Sequence, residues 1–288
     1  YRPDGTRIQI GSGGLSEGNT GGGGMFSSTT TTMQQRTYLY YSTDSSVEVD
    51  WFWPRMDVVE GNEPTPQEML DNPHDCINCL VGSGVNFLPR AANTATTGPT
   101  LVPGKYWDFA GSSGSQSHFL VGNNVFNHNV TDKGLSLVFW VNFDDITNPR
   151  ALIEKGNVNT SYSVFLYNND LTFRTVHGGW PGGANNLNLA QPANHITVGK
   201  WHMLVFTWDM LGDGKKRIYI DGVLKATSSS ITTAIDSNNN GLYIGCLNVP
   251  QWHLDGKLAS VKIYKVGINH EQILHEYNSM QKYFRTLS

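Results

Sequence analysis

The run WHMLVFTWDMLGDGKKRIYIDGVLKAT, Trp201 to Thr227, is apolar on both faces of its first segment. Trp201, Met203, Val205 and Thr207 alternate with His202, Leu204, Phe206 and Trp208, which predicts a strand covered on both sides. The glycines of LGDGKK break it. RIYI and VLKAT then flank Asp221-Gly222, and Asp-Gly between β-rich runs predicts a hairpin, because a type I′ turn needs positive φ at both central residues. The same texture fills most of the second half. LSLVFWVNF places Leu135, Leu137, Phe139, Val141 and Phe143 on one face. RALIEKGN follows a proline, YSVFLYNNDLTFRTV turns at Asn168-Asn169-Asp170, and GLYIGCLN and LDGKLASVKIYKV complete the series. Short strands punctuated by Gly, Asn and Asp, with no helices between them, predict an antiparallel sandwich. A helix closes the chain: Asn269 caps it, Gln272 takes the capping-box position, and Ile273, Tyr277 and Phe284 form its apolar stripe.

The first third reads differently. Nine of the first 24 residues are glycine, and Ser27 to Thr32 is a pure Ser/Thr run, so residues 1–35 bury little and are expected to form an extended arm. Residues 36–100 form a small irregular, β-containing region with TYLYY, VEVDWFWPRMDVV, a short helix predicted at TPQEMLDN, and a Cys pair. ANTATTGPTLVPG reads as a connecting loop, and residues 101–288 form the sandwich. The expected class is all-β: an antiparallel jelly-roll sandwich with a short C-terminal helix behind a Gly/Thr-rich arm.

Composition narrows the function classes. The 288-residue chain carries 15% charged residues and a net charge of −4, which gives no basic face for nucleic acid. No run approaches the roughly eighteen apolar residues of a membrane span. The chain opens at Tyr1 rather than Met, so a trimmed product is expected. The cysteines are Cys76, Cys79 and Cys246, too few for a disulfide framework. HDCINC looks like half a zinc site, but no second Cys pair completes it. A local disulfide or inert thiols is the reading. His202 and His253 flank strands and read as ordinary strand-end residues.

YWDFAGSSGSQSHFLVG, LSLVFWVNF, ALIEKGN, WHMLVFTWD, RIYIDGVLKAT, LYIGC, DGKLASVKIY and INHEQILHEYN occur in that order. Together they resemble the laminin-G-like, concanavalin A-like family in its pentraxin-related branch, over roughly Tyr106 to Asn278. The resemblance implies two stacked antiparallel sheets with binding loops at an edge, and core positions for Trp201 and Tyr219. Many relatives bind calcium there, and Asp108 matches an early aspartate of the family pattern. The late strand departs, reading Gly256-Lys-Leu-Ala259-Ser260 where many members carry an acid.

Catalysis would need a carboxylate pair about 5–9 Å apart across a glycosidic bond. Glu48 and Asp50 alternate suitably in VEVDWFW, but Trp51-Phe52-Trp53 stands where the glucanases of the superfamily carry a further Glu. The expectation is a non-enzyme without a certain cofactor, calcium being the candidate. For sugar, an exposed aromatic with nearby amides is the usual device. Trp180 in the Gly-rich VHGGWPGGANN, beside Asn185 and Asn186, is the first candidate, and Trp252 in NVPQWH is the second. Two readings stay open. One is a structural or display subunit of a surface assembly, such as a virion capsid, spike or fibre, whose arm contacts other subunits and whose sandwich binds glycans. The other is an exported or cell-surface carbohydrate-binding adhesion module, with a glycoside hydrolase third.

Overall fold

The computed structural model describes residues 8–11, 14–17, 47–52, 88–91, 99–102, 106–111, 117–121, 126–128, 132, 134–156, 160–178, 184–248 and 251–285. The short helix expected at 65–72, the cysteines at 76 and 79, and Trp180 lie outside them. In chain order the strands are β1 (Ile8–Gly11), β2 (Gly14–Glu17), β3 (Val47–Phe52), β4 (Leu88–Ala91), β5 (Thr100–Val102), β6 (Tyr106–Phe109), β7 (Ser117–Val121) and β8 (Gly134–Phe143). There follow β9 (Arg150–Lys155), β10 (Tyr162–Tyr167), β11 (Asp170–Val176), β12 (Ala184–Ala190), β13 (Trp201–Asp209), β14 (Lys215–Ile220), β15 (Val223–Ser230), β16 (Leu242–Ile244) and β17 (Gly256–Tyr264). The helix is α1 (His270–Arg285).

Two antiparallel sheets stack. One runs β12-β11-β10-β9-β16-β7-β4, the other β15-β14-β13-β8-β17-β6-β5. The non-consecutive neighbours are crossovers from sheet to sheet, as a jelly roll requires. Period-2 alternation sorts the side chains. Leu135, Leu137, Phe139, Val141 and Phe143 of β8 face the inter-sheet core, with Leu204, Phe206 and Trp208 of β13 and Val164, Leu166, Leu171 and Phe173 of the other sheet. Each fully buried side chain of this kind contributes about 1.5–3 kcal/mol from leaving water. The predicted turns are type I′ in their backbone: Asp221 and Gly222 have φ of 53° and 78°, and Asn168 and Asn169 have φ of 50° and 60°. The Asp221 carboxylate also accepts the Met203 N–H at 2.9 Å and lies 2.7 Å from His202 Nδ1. His202 Nε2 accepts the Thr197 N–H, so its Nδ1 carries the proton, and this histidine holds the turn.

The compositional boundary near residue 100 does not bound the sheets. β3 pairs with β17 from Phe52–Ser260 to Val47–Tyr264, and β4 pairs with β7. The alternating VEVDWF therefore covers a strand edge whose N–H and C=O groups would otherwise lack partners. In the arm, β1 pairs with β2 of the same chain.

The helix forms as its caps dictate. Asn269 N–H donates to Gln272 Oε1 and Gln272 N–H to Asn269 Oδ1, both at 2.9 Å, a reciprocal capping box. Ser136 Oγ fixes its approach, donating to the Val266 carbonyl at 2.7 Å and accepting the Ile268 N–H at 2.9 Å. No helix among the described residues is long and apolar enough to cross a membrane.

Candidate functional site

The two sheets have chemically different outer faces. On the β8-β13-β17 sheet, outward Val138, Trp140, Met203, Val205 and Ala259 meet Ile273, Met280 and Phe284 of α1. Trp140 stacks on Phe284 at 4.2 Å and on Tyr277 at 6.0 Å. Beneath the helix, Lys262 Nζ lies 3.0 Å from Glu276 Oε1, with side chains only 1% and 2% exposed. That face is closed.

The outward residues of the other sheet are mostly polar. Register fixes one row across it: Asn186 of β12 lies opposite Arg174 of β11, Arg174 opposite Ser163, Ser163 opposite Glu154, and Glu154 opposite Tyr243 of β16. Ser163 and Glu154 in this row are buried, 3% and 0% exposed, so Arg174 and Asn186 are its accessible members next to the rings. Arg174 Nε donates to Asn186 Oδ1 at 3.0 Å, Thr172 Oγ1 to Asn188 Oδ1 at 3.1 Å, and Asn188 Nδ2 to Asp170 Oδ2 at 3.1 Å. At one end stand aromatic rings. Trp252 stacks on Tyr167 at 4.8 Å and 12°, and lies 5.5 Å from Phe165. The Arg174 guanidinium sits 4.8 Å over the same Phe165 ring, so rings, guanidinium and amides form one continuous patch. Tyr167 is 43% exposed. Trp252 holds φ of 56°, a costly backbone state for a bulky residue. The Ala151 N–H, donating to the Trp252 carbonyl at 2.6 Å, secures it there.

Buried polar groups lie beneath and beside this patch. Burial pushes the Glu154 carboxyl up to about 7, although its Oε2 accepts the Asn248 N–H and Arg174 stands near. Burial likewise lowers Lys216, between the sheets, to about 7. Its ammonium donates to the carbonyls of Asn185 at 2.7 Å and Phe173 at 3.2 Å. His253 is held down at about 4, by burial first and then by the Arg150 charge. Burial and the Glu154 charge push the Cys246 thiol up.

The sequence candidates separate. Asn185 and Asn186 fall on strand β12, not in a loop, so alternation sends them to opposite faces. Asn186 joins the patch. Asn185 Oδ1 is buried without a hydrogen-bond partner among the described residues. Trp252 is at the patch. Asp108, on β6, lies in the other sheet. It faces Lys257 across the β6–β17 ladder, and burial raises its carboxyl while Lys257 lowers it. Lys257 Nζ also binds Asp144 at 2.8 Å, and Arg150 binds Asp145 at 2.6 Å and Asp255 at 3.3 Å. Four carboxylates, Asp108, Asp144, Asp145 and Asp255, thus share two cations, Lys257 and Arg150, and Asp144 and Asp255 help to raise Asp108. Calcium takes six to eight oxygens; Asp108, Asp144 and Asp255 are the carboxylates that would supply some of them. Sequence reasoning missed Arg174, Tyr167 and Phe165, although NNDLTFRTV already placed Arg174 on an alternating strand position.

Two stacked antiparallel sheets, one outer face sealed by a helix and the other left polar and aromatic, define a lectin-like sandwich. The chain belongs to the concanavalin A-like lectin/glucanases superfamily, whose pattern matches residues 112–274. It is 29% identical to C-reactive protein 1.4 of Limulus polyphemus over 32% of this chain and 41% of that protein. Among solved structures, one of botulinum neurotoxin type C, which depends upon interaction with two ganglioside molecules to enter cells, superposes with a TM-score of 0.56. It shares 15% identity and covers 84% of this chain and 53% of that one. The receptor binding domain of botulinum neurotoxin D gives 0.54 at 14% identity, over 82% and 53%. The binding domain of neurotoxin DC with rat synaptotagmin II gives 0.55 at 15%, over 82% and 52%. At these identities the likeness is one of fold. The chain spans about half the length of the structures it matches.

Proposed function

We propose that this chain is a non-catalytic, glycan-binding sandwich displayed on a surface assembly. The observation that carries the reading is the patch of Trp252, Tyr167, Arg174 and Asn186 over the buried Phe165 ring on the helix-free face. A sugar ring stacks on an aromatic through its C–H face, while amides and a guanidinium bind its hydroxyls. The dependence of one structural neighbour on gangliosides supports the ligand class. The binding is proposed to be independent of calcium, because Asp108 lies on β6 of the other sheet, away from the patch.

The assembly role rests on the arm. Residues 1–32 hold few apolar anchors (Ile8, Ile10, Leu15, Met25, Phe26). Their burial at about 25 cal/mol per Å² does not offset roughly 1–2 kcal/mol of backbone entropy per ordered residue. The arm is therefore assigned to contacts with other subunits, in a virion capsid, spike or fibre, at the particle surface or outside the cell.

The test of binding is a glycan array probed with wild type, Trp252→Ala and Trp180→Ala. Wild type is expected to bind with and without a calcium chelator, and Trp252→Ala to lose the signal. Retained binding in Trp252→Ala, with loss in Trp180→Ala, would move the site to the Gly-rich loop. For the arm, deleting residues 1–32 should leave a folded sandwich that no longer incorporates into the assembly. Unchanged incorporation would favour the adhesion-module reading.

A further inference from the structure

His118, Cys246 and His253 come together although sequence separates the first from the other two. β16 pairs with β7, Ile244 opposite Phe119, which carries the residues just past β16 alongside His118. There Gly245 turns the chain at φ of 83°, and a Cβ at this position would lie 2.4 Å from Phe109 Cε1. The Gly245 N–H donates to the Leu152 carbonyl and the Leu254 N–H to the Gly245 carbonyl. Leu247 and Trp252 thereby pack on Ala151 and Phe165 of the outer sheet face. The three side chains belong to residues that are 4%, 0% and 1% exposed, and one ligand atom from each lies within 4.8 Å of the others.

Two observations point to a ligand rather than to a packed polar cluster. Neither ring nitrogen of His253 has a hydrogen-bond partner among the described residues, although the ring is buried. A buried polar group left unmatched costs about 1–3 kcal/mol and calls for an explanation. The donor set is also selective. Two imidazole nitrogens and one sulfur suit a borderline-soft cation and not calcium or magnesium, which take oxygen. We propose that His118, Cys246 and His253 bind a transition-metal cation, Zn²⁺ foremost, which ties Cys246 and His253 to β7.

The chemistry balances simply. The Cys246 thiol releases its proton to solvent as the metal–sulfur bond forms, and each imidazole gives a lone pair. Zn–S of about 2.3 Å and Zn–N of about 2.0–2.1 Å bring tetrahedral donors to roughly 3.5 Å apart, so closure needs movements of about 1 Å. A water completes the fourth position. The net charge left on the metal is met by Glu154, whose field reaches Cys246. The Arg150 charge nearby is compensated by Asp145 and Asp255. The proposal stands apart from glycan binding, since none of its three ligands belongs to the patch.

The test uses the full chain with Cys76→Ser and Cys79→Ser, which removes the other thiols, stripped of metal and titrated with Co²⁺ and then Zn²⁺. One equivalent of Co²⁺ is expected, with thiolate–cobalt charge-transfer absorption that Zn²⁺ abolishes. Zn²⁺ at 100-fold excess over its Kd should raise Tm by about 5 °C or more. Cys246→Ser should remove the absorption, and His253→Gln should weaken binding at least about 10-fold. Should either variant fail to fold, X-ray absorption on the zinc-loaded parent decides: one sulfur with nitrogen neighbours supports the site, and oxygen and nitrogen alone overturn it. No charge-transfer band in the parent, or an unchanged band in Cys246→Ser, overturns it as well.

Discussion

The two outer faces are made by the same strand alternation and end in opposite states. Outward positions on β8, β13 and β17 are Val138, Trp140, Met203, Val205 and Ala259, and α1 covers them. Outward positions on β10 to β12 are Phe165 and Tyr167, then Thr172, Arg174, Asn186 and Asn188, the last four held in side-chain hydrogen bonds within the face. A face that must be sealed spends its alternate positions on apolar bulk. A face that binds polar ligands keeps amides and a guanidinium, with aromatic rings at one end. The sandwich supplies both from one pattern, and the proposed function rests on the face that the helix leaves free.

Breaking the sealed face should do the most damage. Glu276→Gln removes the buried carboxylate 3.0 Å from Lys262 Nζ, and removing one partner of a buried pair costs about 3–5 kcal/mol. Denaturant unfolding should show it, with glycan binding retained below the new midpoint. Phe284→Ala, which strips the ring stacked on Trp140, should cost a similar 3–5 kcal/mol.

Between the faces, Lys216 sets a pH dependence. Its folded value, near 7, lies below the usual 10.5. From about pH 7 to 10.5 the unfolded chain therefore binds the extra proton, and stability rises with pH. Lys216→Met should flatten that slope, by an amount on the order of a few kcal/mol across the window. Tm measured over that alkaline range in both proteins checks it; equal slopes would place the amine in water.

On the open face, Trp252→Ala should cost only about 1–2 kcal/mol, because the ring is half-buried against Tyr167 and Phe165. A loss as large as that of Phe284→Ala would make Trp252 a core residue and erase the contrast between the faces. The mildest change is Asn269→Ala, which removes half the capping box and should cost about 1 kcal/mol with no effect on binding.

Much of the sealed face was legible in the chain. LSLVFWVNF and WHMLVFTWD show apolar residues on both faces, which only a doubly covered strand explains, and Asn269 with Gln272 marks the helix start. The open face was legible in part. Trp252 stood out as an aromatic near amides, but Asn185 and Asn186 read as one loop pair, and their strand alternation became clear only with β11 beside them. Arg174 and Tyr167 looked like ordinary strand residues, because their meaning depends on neighbours across the sheet. VEVDWF showed its strand pattern but not its partner β17. His118, Cys246 and His253 follow no local spacing, since the β7–β16 pairing creates their proximity.

If ligand binds the helix-free face of the β10-β11-β12 sheet, amide chemical shifts will show where. The chain is titrated with the strongest glycan from the array and its backbone resonances are followed. Saturable shifts clustered at Tyr167, Arg174, Asn186 and Trp252, with Trp140 and the α1 amides still, are the predicted result. Shifts centred on α1 or around Asp108, or none at saturating ligand, would contradict it.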